Sequence, residues 1–209
     1  MTTDVRDVDA KLADSYLALA VLLDSGASAI DAVTTVAGGP NGTILQSWSG
    51  VVAALRRDHE LCDAFASESP DTASVVALAS RYGTQWGDYG SFFRGVADVH
   101  SAVYLATQRV LRMEGPAEDV EQVRYAMLLA LMLDLAFPLV LAIVSATEIC
   151  PAVRLHLGEA VREEVRRGEI AAVEHAIARL PSQLSVLISA GIDAGDLQGT
   201  LRQWVSERL

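Results

Sequence analysis

Lysine is nearly missing from this 209-residue chain: Lys11 stands alone, and 16 basic residues face 27 acidic ones, for a formal charge of −11. That balance repels a phosphate backbone and argues against nucleic acid as a partner. The small basic pairs Arg56-Arg57 and Arg166-Arg167 read as solvated helix ends, where they complement the helix dipole. Cysteine is scarce too. Cys62 and Cys150 lie far apart with no CxxC or CxxH spacing. One disulfide between them stays open, although so few cysteines fit a reducing compartment better. The opening residues Met-Thr-Thr-Asp-Val-Arg-Asp lack the basic start and short apolar region of a signal peptide, so a cytoplasmic location is expected.

Catalytic signatures are also lacking. The chain has no Glu-x-x-His pair, H-E-x-x-H, Walker loop or G-x-S-x-G. Gly87-Asp-Tyr-Gly90 and Gly38-Gly-Pro-Asn-Gly42 follow no strand, which leaves dinucleotide binding little support. His59 and Cys62 could share a helical face but lack further ligands, and Cys62 reads as a small core residue. Glu174-His175 reads as an exposed helix face, while His100 and His156 read as interfacial helix residues. Asp193 and Asp196 offer two carboxylates in a short loop, far fewer than the converging oxygens calcium needs. No enzyme activity, metal or cofactor is expected.

What remains is the composition of a helical protein. Hydrophobic residues make up 51% of the chain and aromatics only 6%, with six prolines and no β-alternating run of useful length. Tyr125–Ala146 is nearly all apolar and long enough to span a bilayer. Asp134 and Pro138 sit near its middle, where a charge and a helix breaker are costly. A buried helical hairpin is therefore expected, with no direct membrane insertion.

The chain also says the same thing twice, at a spacing of about 110 residues. AVLLDSGASAIDAV, beginning at Ala20, lies over ALMLDLAFPLVLAI, beginning at Ala130, with Asp24 over Asp134 and Ala32 over Ala142. Gly26 and Ser28 break the first pair of helices, and Pro138 breaks the second as an N1 proline. VVAALRR from Val51 lies over VREEVRR from Val161, and Pro70 and Pro181 each open a further helix. Gly83-Thr-Gln-Trp-Gly87-Asp88 then lies over Gly191-Ile-Asp-Ala-Gly195-Asp196. At each of these last junctions the first glycine is expected to end a helix in the left-handed conformation. The Asp is expected to cap the next helix, and the aromatic or Leu that follows, with its partner four residues on, to face the core.

The expected fold is all-α: two tandem antiparallel six-helix bundles related by the internal repeat, over 1–114 and 115–209, with the boundary at Glu114-Gly115-Pro116-Ala117. Helices are expected near 5–24, 28–37, 44–57, 60–67, 71–82 and 88–112, then near 117–134, 138–148, 152–167, 170–179, 182–190 and 196–207.

The order of these signals resembles the cytoplasmic domain of the type II secretion F-protein family, which includes the type IV pilus platform protein. Leu22-Leu23-Asp24-Ser25-Gly26-Ala27-Ser28-Ala29-Ile30-Asp31-Ala32-Val33 matches that family's LLxSGxxLxxAL pattern. Gly83, Gly87, Tyr89 and Phe93, and again Gly191, Gly195, Leu197 and Leu201, fit its GExSGxLxxxL ending. Thr84 and Ile192 replace the family's Glu, and Trp86 stands where it usually has Ser or Thr. Family members carry transmembrane helices after each unit, and no such span is found here. The resemblance implies a non-catalytic scaffold that binds a motor ATPase or other inner-membrane platform components, peripheral to that membrane through its partners. It also implies pairing of units, as an intramolecular pseudo-dimer or a homodimer. Trp86 is a candidate partner-binding residue. The alternative is a small-ligand-binding or regulatory helical protein in which the apolar hairpin Leu128–Val144 lines a pocket.

Overall fold

The computed structural model describes residues 7–42, 48–68, 88–112, 115, 118–157 and 170–209, and all regular structure among them is helical. The expected helix at 71–82, the glycines Gly83 and Gly87, Trp86, Pro70 and the side chain of Cys62 lie outside the described residues. The chain divides into two compact units, Met1–Ser101 and Ala102–Leu209.

The first unit holds α1 (Val8–Asp24), α2 (Ala29–Ala37), α3 (Trp48–Leu55), α4 (Leu61–Glu68) and the start of α5 (Tyr89–Leu111). Leu12, Tyr16, Leu19 and Ala20 recur at helical spacing and form the buried face of α1. Helix α1 stops because Gly26 takes a φ of 87°. Its N–H donates to the Leu23 carbonyl, and the next N–H, of Ala27, reaches back to that of Leu22 at 3.1 Å. These bonds satisfy carbonyls that a helix end otherwise leaves orphaned. Ser28 then caps α2, its Oγ accepting from the Asp31 N–H at 3.1 Å and donating to the Asp31 carboxylate at 2.7 Å.

Despite the scarcity of aromatics, this unit concentrates them in its core. Tyr16 stacks between Phe93, at 5.8 Å and 6°, and His100, at 5.7 Å and 9°. Trp48 meets Phe65 edge-on at 4.9 Å. Such pairs add roughly 0.5–1.5 kcal/mol each beyond the area they bury. At its edge the His100 ring meets Asp9, with Nδ1 2.8 Å from the carboxylate.

The second unit takes the end of α5, then α6 (Glu118–Asp134), α7 (Leu139–Ile149), α8 (151–157), α9 (Ile170–Arg179), α10 (Ser182–Ala194) and α11 (Leu197–Ser206). The apolar run Tyr125–Ala146 is divided between α6 and α7, and Leu128, Leu129, Met132 and Ile143 are fully buried. Among the described residues no helix is long and apolar enough to cross a membrane. Pro138 stands one step earlier than an N1 proline. Its ψ of 135° is extended, so it is the N-cap of α7 and its carbonyl receives the Ala142 N–H at 3.0 Å. Burial drives the pKa values of the Tyr125 phenol and the Cys150 thiol far above their ordinary ranges, so both stay protonated. Cys150 is a free, buried small core residue, unsuited to nucleophilic chemistry.

Candidate functional site

Two kinds of feature bear on function: the helix junctions that the sequence singles out, and a cavity that it does not.

At the last junction, Gly191 and Gly195 do different work. The expected end of a helix at Gly191 is not where the chain turns; α10 runs on to Ala194, and Gly195 is the left-handed residue, with a φ of 70°. Gly191 sits inside the helix and is buried. A Cβ on it would lie 2.7 Å from Leu197 Cδ1 and 2.9 Å from Leu197 Cα, so its bare backbone is what lets α11 fold back closely. Asp196 opens α11, its carboxylate accepting the Gly199 N–H at 2.9 Å. Leu197 and Leu201 face the core as expected.

The corresponding position in the first unit, Asp88, caps α5 in the same way. It accepts the Ser91 N–H at 3.0 Å, and the Ser91 hydroxyl donates to it at 2.6 Å. These two bonds, the hydroxyl's first, hold the Asp88 carboxyl below its ordinary pKa. Phe93 is fully buried and Tyr89 half-buried.

Each unit also ties the end of one helix to a later one by an ion pair. Arg94 of α5 pairs with Asp24, the last residue of α1. Arg202 of α11 pairs with Asp134, the last residue of α6. An aspartate at a helix C-terminus opposes the helix dipole, and the arginine offsets that conflict. A Cβ built on Gly90 would run into the Asp24 carboxylate, so α1 and α5 also approach closely at this point.

Among the described residues, those that line a cavity of about 550 Å³ all belong to the second unit. Glu118, Glu121 and Gln122 from the start of α6 form one wall, and Ala152, Val153 and His156 from α8 another. Pro181 and Ser182, where α10 begins, also line it. Glu121 Oε1 accepts from Arg124 at 3.1 Å. Glu121 Oε2 and Gln122 Oε1 are shielded from solvent with no donor in reach. Each such acceptor costs on the order of 1–3 kcal/mol. The hairpin Leu128–Val144, expected to line a pocket, is not part of this wall.

Nothing in the sequence pattern pointed to the cavity. Its residues come from three helix starts with no common spacing, and Glu118 and Glu121 look like ordinary first-turn acids.

The remaining candidates are dispersed. His59, Glu174 and His175 are exposed, and Asp193 stands in solvent while its neighbour Asp196 serves α11. Trp204 is buried beneath the Arg208 guanidinium, which lies 3.8 Å from its ring centre. Among the described residues no group of three or more His, Cys, Asp or Glu converges as a metal site.

No protein-family model and no curated protein matches this sequence.

Proposed function

We propose that the chain is a non-catalytic scaffold built from two tandem copies of one helical unit, each a six-helix bundle, resembling the cytoplasmic units of a secretion or type IV pilus platform protein. It binds other proteins of such an apparatus, the motor ATPase foremost.

The observation that carries this reading is the recurrence of local geometry about 110 residues apart. Gly26 and Ala136 both take a left-handed φ, and Ala27 and Phe137 donate to the equivalent carbonyls of Leu22 and Met132. Ser28 and Pro138 are both N-caps. Asp24–Arg94 and Asp134–Arg202 close the two units alike. The buried positions Leu19, Ala20, Ala32 and Val33 correspond to the buried Leu129, Ala130, Ala142 and Ile143. Chance seldom reproduces a helix stop, a cap, a core face and an ion pair in one order. Such ordered repetition supports descent from a duplicated unit, and the glycine patterns are those that resemble the platform family.

Size-exclusion chromatography of the full chain mixed with the motor ATPase of a secretion or pilus apparatus from the same source tests the reading. Co-elution is the expected result, and separate elution at micromolar concentrations would remove its support. A second reading, a small-ligand-binding helical protein, is favoured by the cavity beside Glu121.

A further inference from the structure

We propose that Asn41 is a gated modification site, where the Asn41-Gly42 pair converts to aspartate and isoaspartate once its tether to α1 opens. This goes beyond the scaffold reading and does not depend on it.

Asn41 is the chain's only asparagine, and a glycine follows it. That pair carries its own chemistry. The Gly42 nitrogen attacks the carbonyl carbon of the Asn41 side chain and closes a cyclic succinimide. The Cγ–Nδ2 bond breaks, and ammonia leaves with the proton that the Gly42 nitrogen gives up. Water then opens the ring at either carbonyl, giving aspartate or isoaspartate, so water is the only other reactant. Glycine, without a Cβ, hinders the attack least. The turn requires glycine here as well, because a Cβ on Gly42 would lie 2.5 Å from the Ala37 carbonyl oxygen.

The fold holds both reacting groups back. The Gly42 N–H donates to the Gly39 carbonyl at 3.0 Å, which engages the attacking nitrogen in the turn after α2. Asn41 Nδ2 donates across to α1, to the Lys11 carbonyl and to Ser15 Oγ, each at 3.3 Å. A carbonyl can only accept, so the amide is fixed with its nitrogen toward α1. Ser15 is buried, and its hydroxyl donates to the Lys11 carbonyl at 2.7 Å, leaving Oγ to accept from Asn41. Cyclisation therefore waits for local opening to release the amide. The conversion runs one way. A carboxylate at this position would turn oxygens toward a carbonyl and toward a hydroxyl already committed as a donor, so the same tether does not re-form. Each opening thus exposes the chain to a permanent negative charge where the end of α2 meets α1.

Peptide mapping by mass spectrometry tests this, on the full chain incubated at mildly alkaline pH with and without guanidinium chloride. Conversion at Asn41 should be at least about fivefold slower in the folded chain, because opening limits it. Ser15→Ala removes one acceptor of the tether. It should speed conversion in the folded chain and leave the rate in denaturant unchanged. Asn41→Asp, the charged product, should unfold at a lower denaturant concentration than the parent. Equal rates with and without denaturant would overturn the gating, and no conversion in denaturant would overturn the site itself. An unchanged midpoint for Asn41→Asp, or a folded Ser15→Ala that reacts no faster than the parent, would overturn the tether. Should Ser15→Ala fail to fold, the parent with and without denaturant decides the matter.

Discussion

Ala136 and Asp58 hold the left-handed conformation, with φ of 59° and 63°, where glycine is the usual occupant. Each ends its helix by the double bond that Gly26 and Gly195 make: Phe137 to Met132 across Ala136, and His59 to Ala54 across Asp58. A Cβ in this conformation costs roughly 1–2 kcal/mol, and glycine's extra freedom in the unfolded chain gives back about half. Ala136→Gly and Asp58→Gly should therefore each stabilise the protein by about 0.5–1 kcal/mol in urea unfolding. The helix ends near 57 and 134 were legible in the sequence, but the left-handed residues that make them were not, because neither alanine nor aspartate advertises such a turn as glycine does. Gly26 was legible because glycine does. Asp88 gives a test of sign. Its folded pKa is depressed, so its stabilising contribution is present above the ordinary carboxylate range and lost as pH falls through the folded value. Asp88→Asn should melt below the parent near neutrality, and the gap should narrow as pH falls below the ordinary carboxylate range, read by circular dichroism.

At the scale of helices, the Gly-x-x-x-Gly-Asp junction separates into three tasks: close approach at Gly191, the left-handed turn at Gly195 and the cap at Asp196. Spacing alone foretold a turn and a cap. Which glycine turned depended on how near Leu197 comes, a tertiary fact that no local pattern carries. Gly191→Ala should destabilise by about 1–3 kcal/mol, because the crowding atoms include the Leu197 backbone, which cannot swing aside. A thermal or urea melt checks this, and an unchanged midpoint would show that the two helices separate freely. The ion pairs are a weaker matter. The Asp24–Arg94 and Asp134–Arg202 side chains are a third to nearly half exposed. Double-mutant cycles should give coupling energies below about 1 kcal/mol for each. Their value lies in position rather than strength.

For the whole molecule, the helical class and most helix limits were readable from apolar periodicity and from glycine and proline placement. The split of the apolar run Tyr125–Ala146 was foreseeable from Asp134 and Pro138, a charge and a breaker side by side. The aromatic core around Tyr16 was not. Its members come from α1, α3, α4 and α5, and only folding assembles them. The cavity was hidden for the same reason. The proposed scaffold function rests on the recurrence of local geometry about 110 residues apart and on the resemblance of the glycine patterns to a secretion platform. The most direct measurement is titration calorimetry of the full chain against the purified motor ATPase of a type II secretion or type IV pilus apparatus from the same source. Saturable binding with a Kd of about 1–10 μM or tighter is the predicted result. Absence of binding at concentrations about tenfold higher would contradict it.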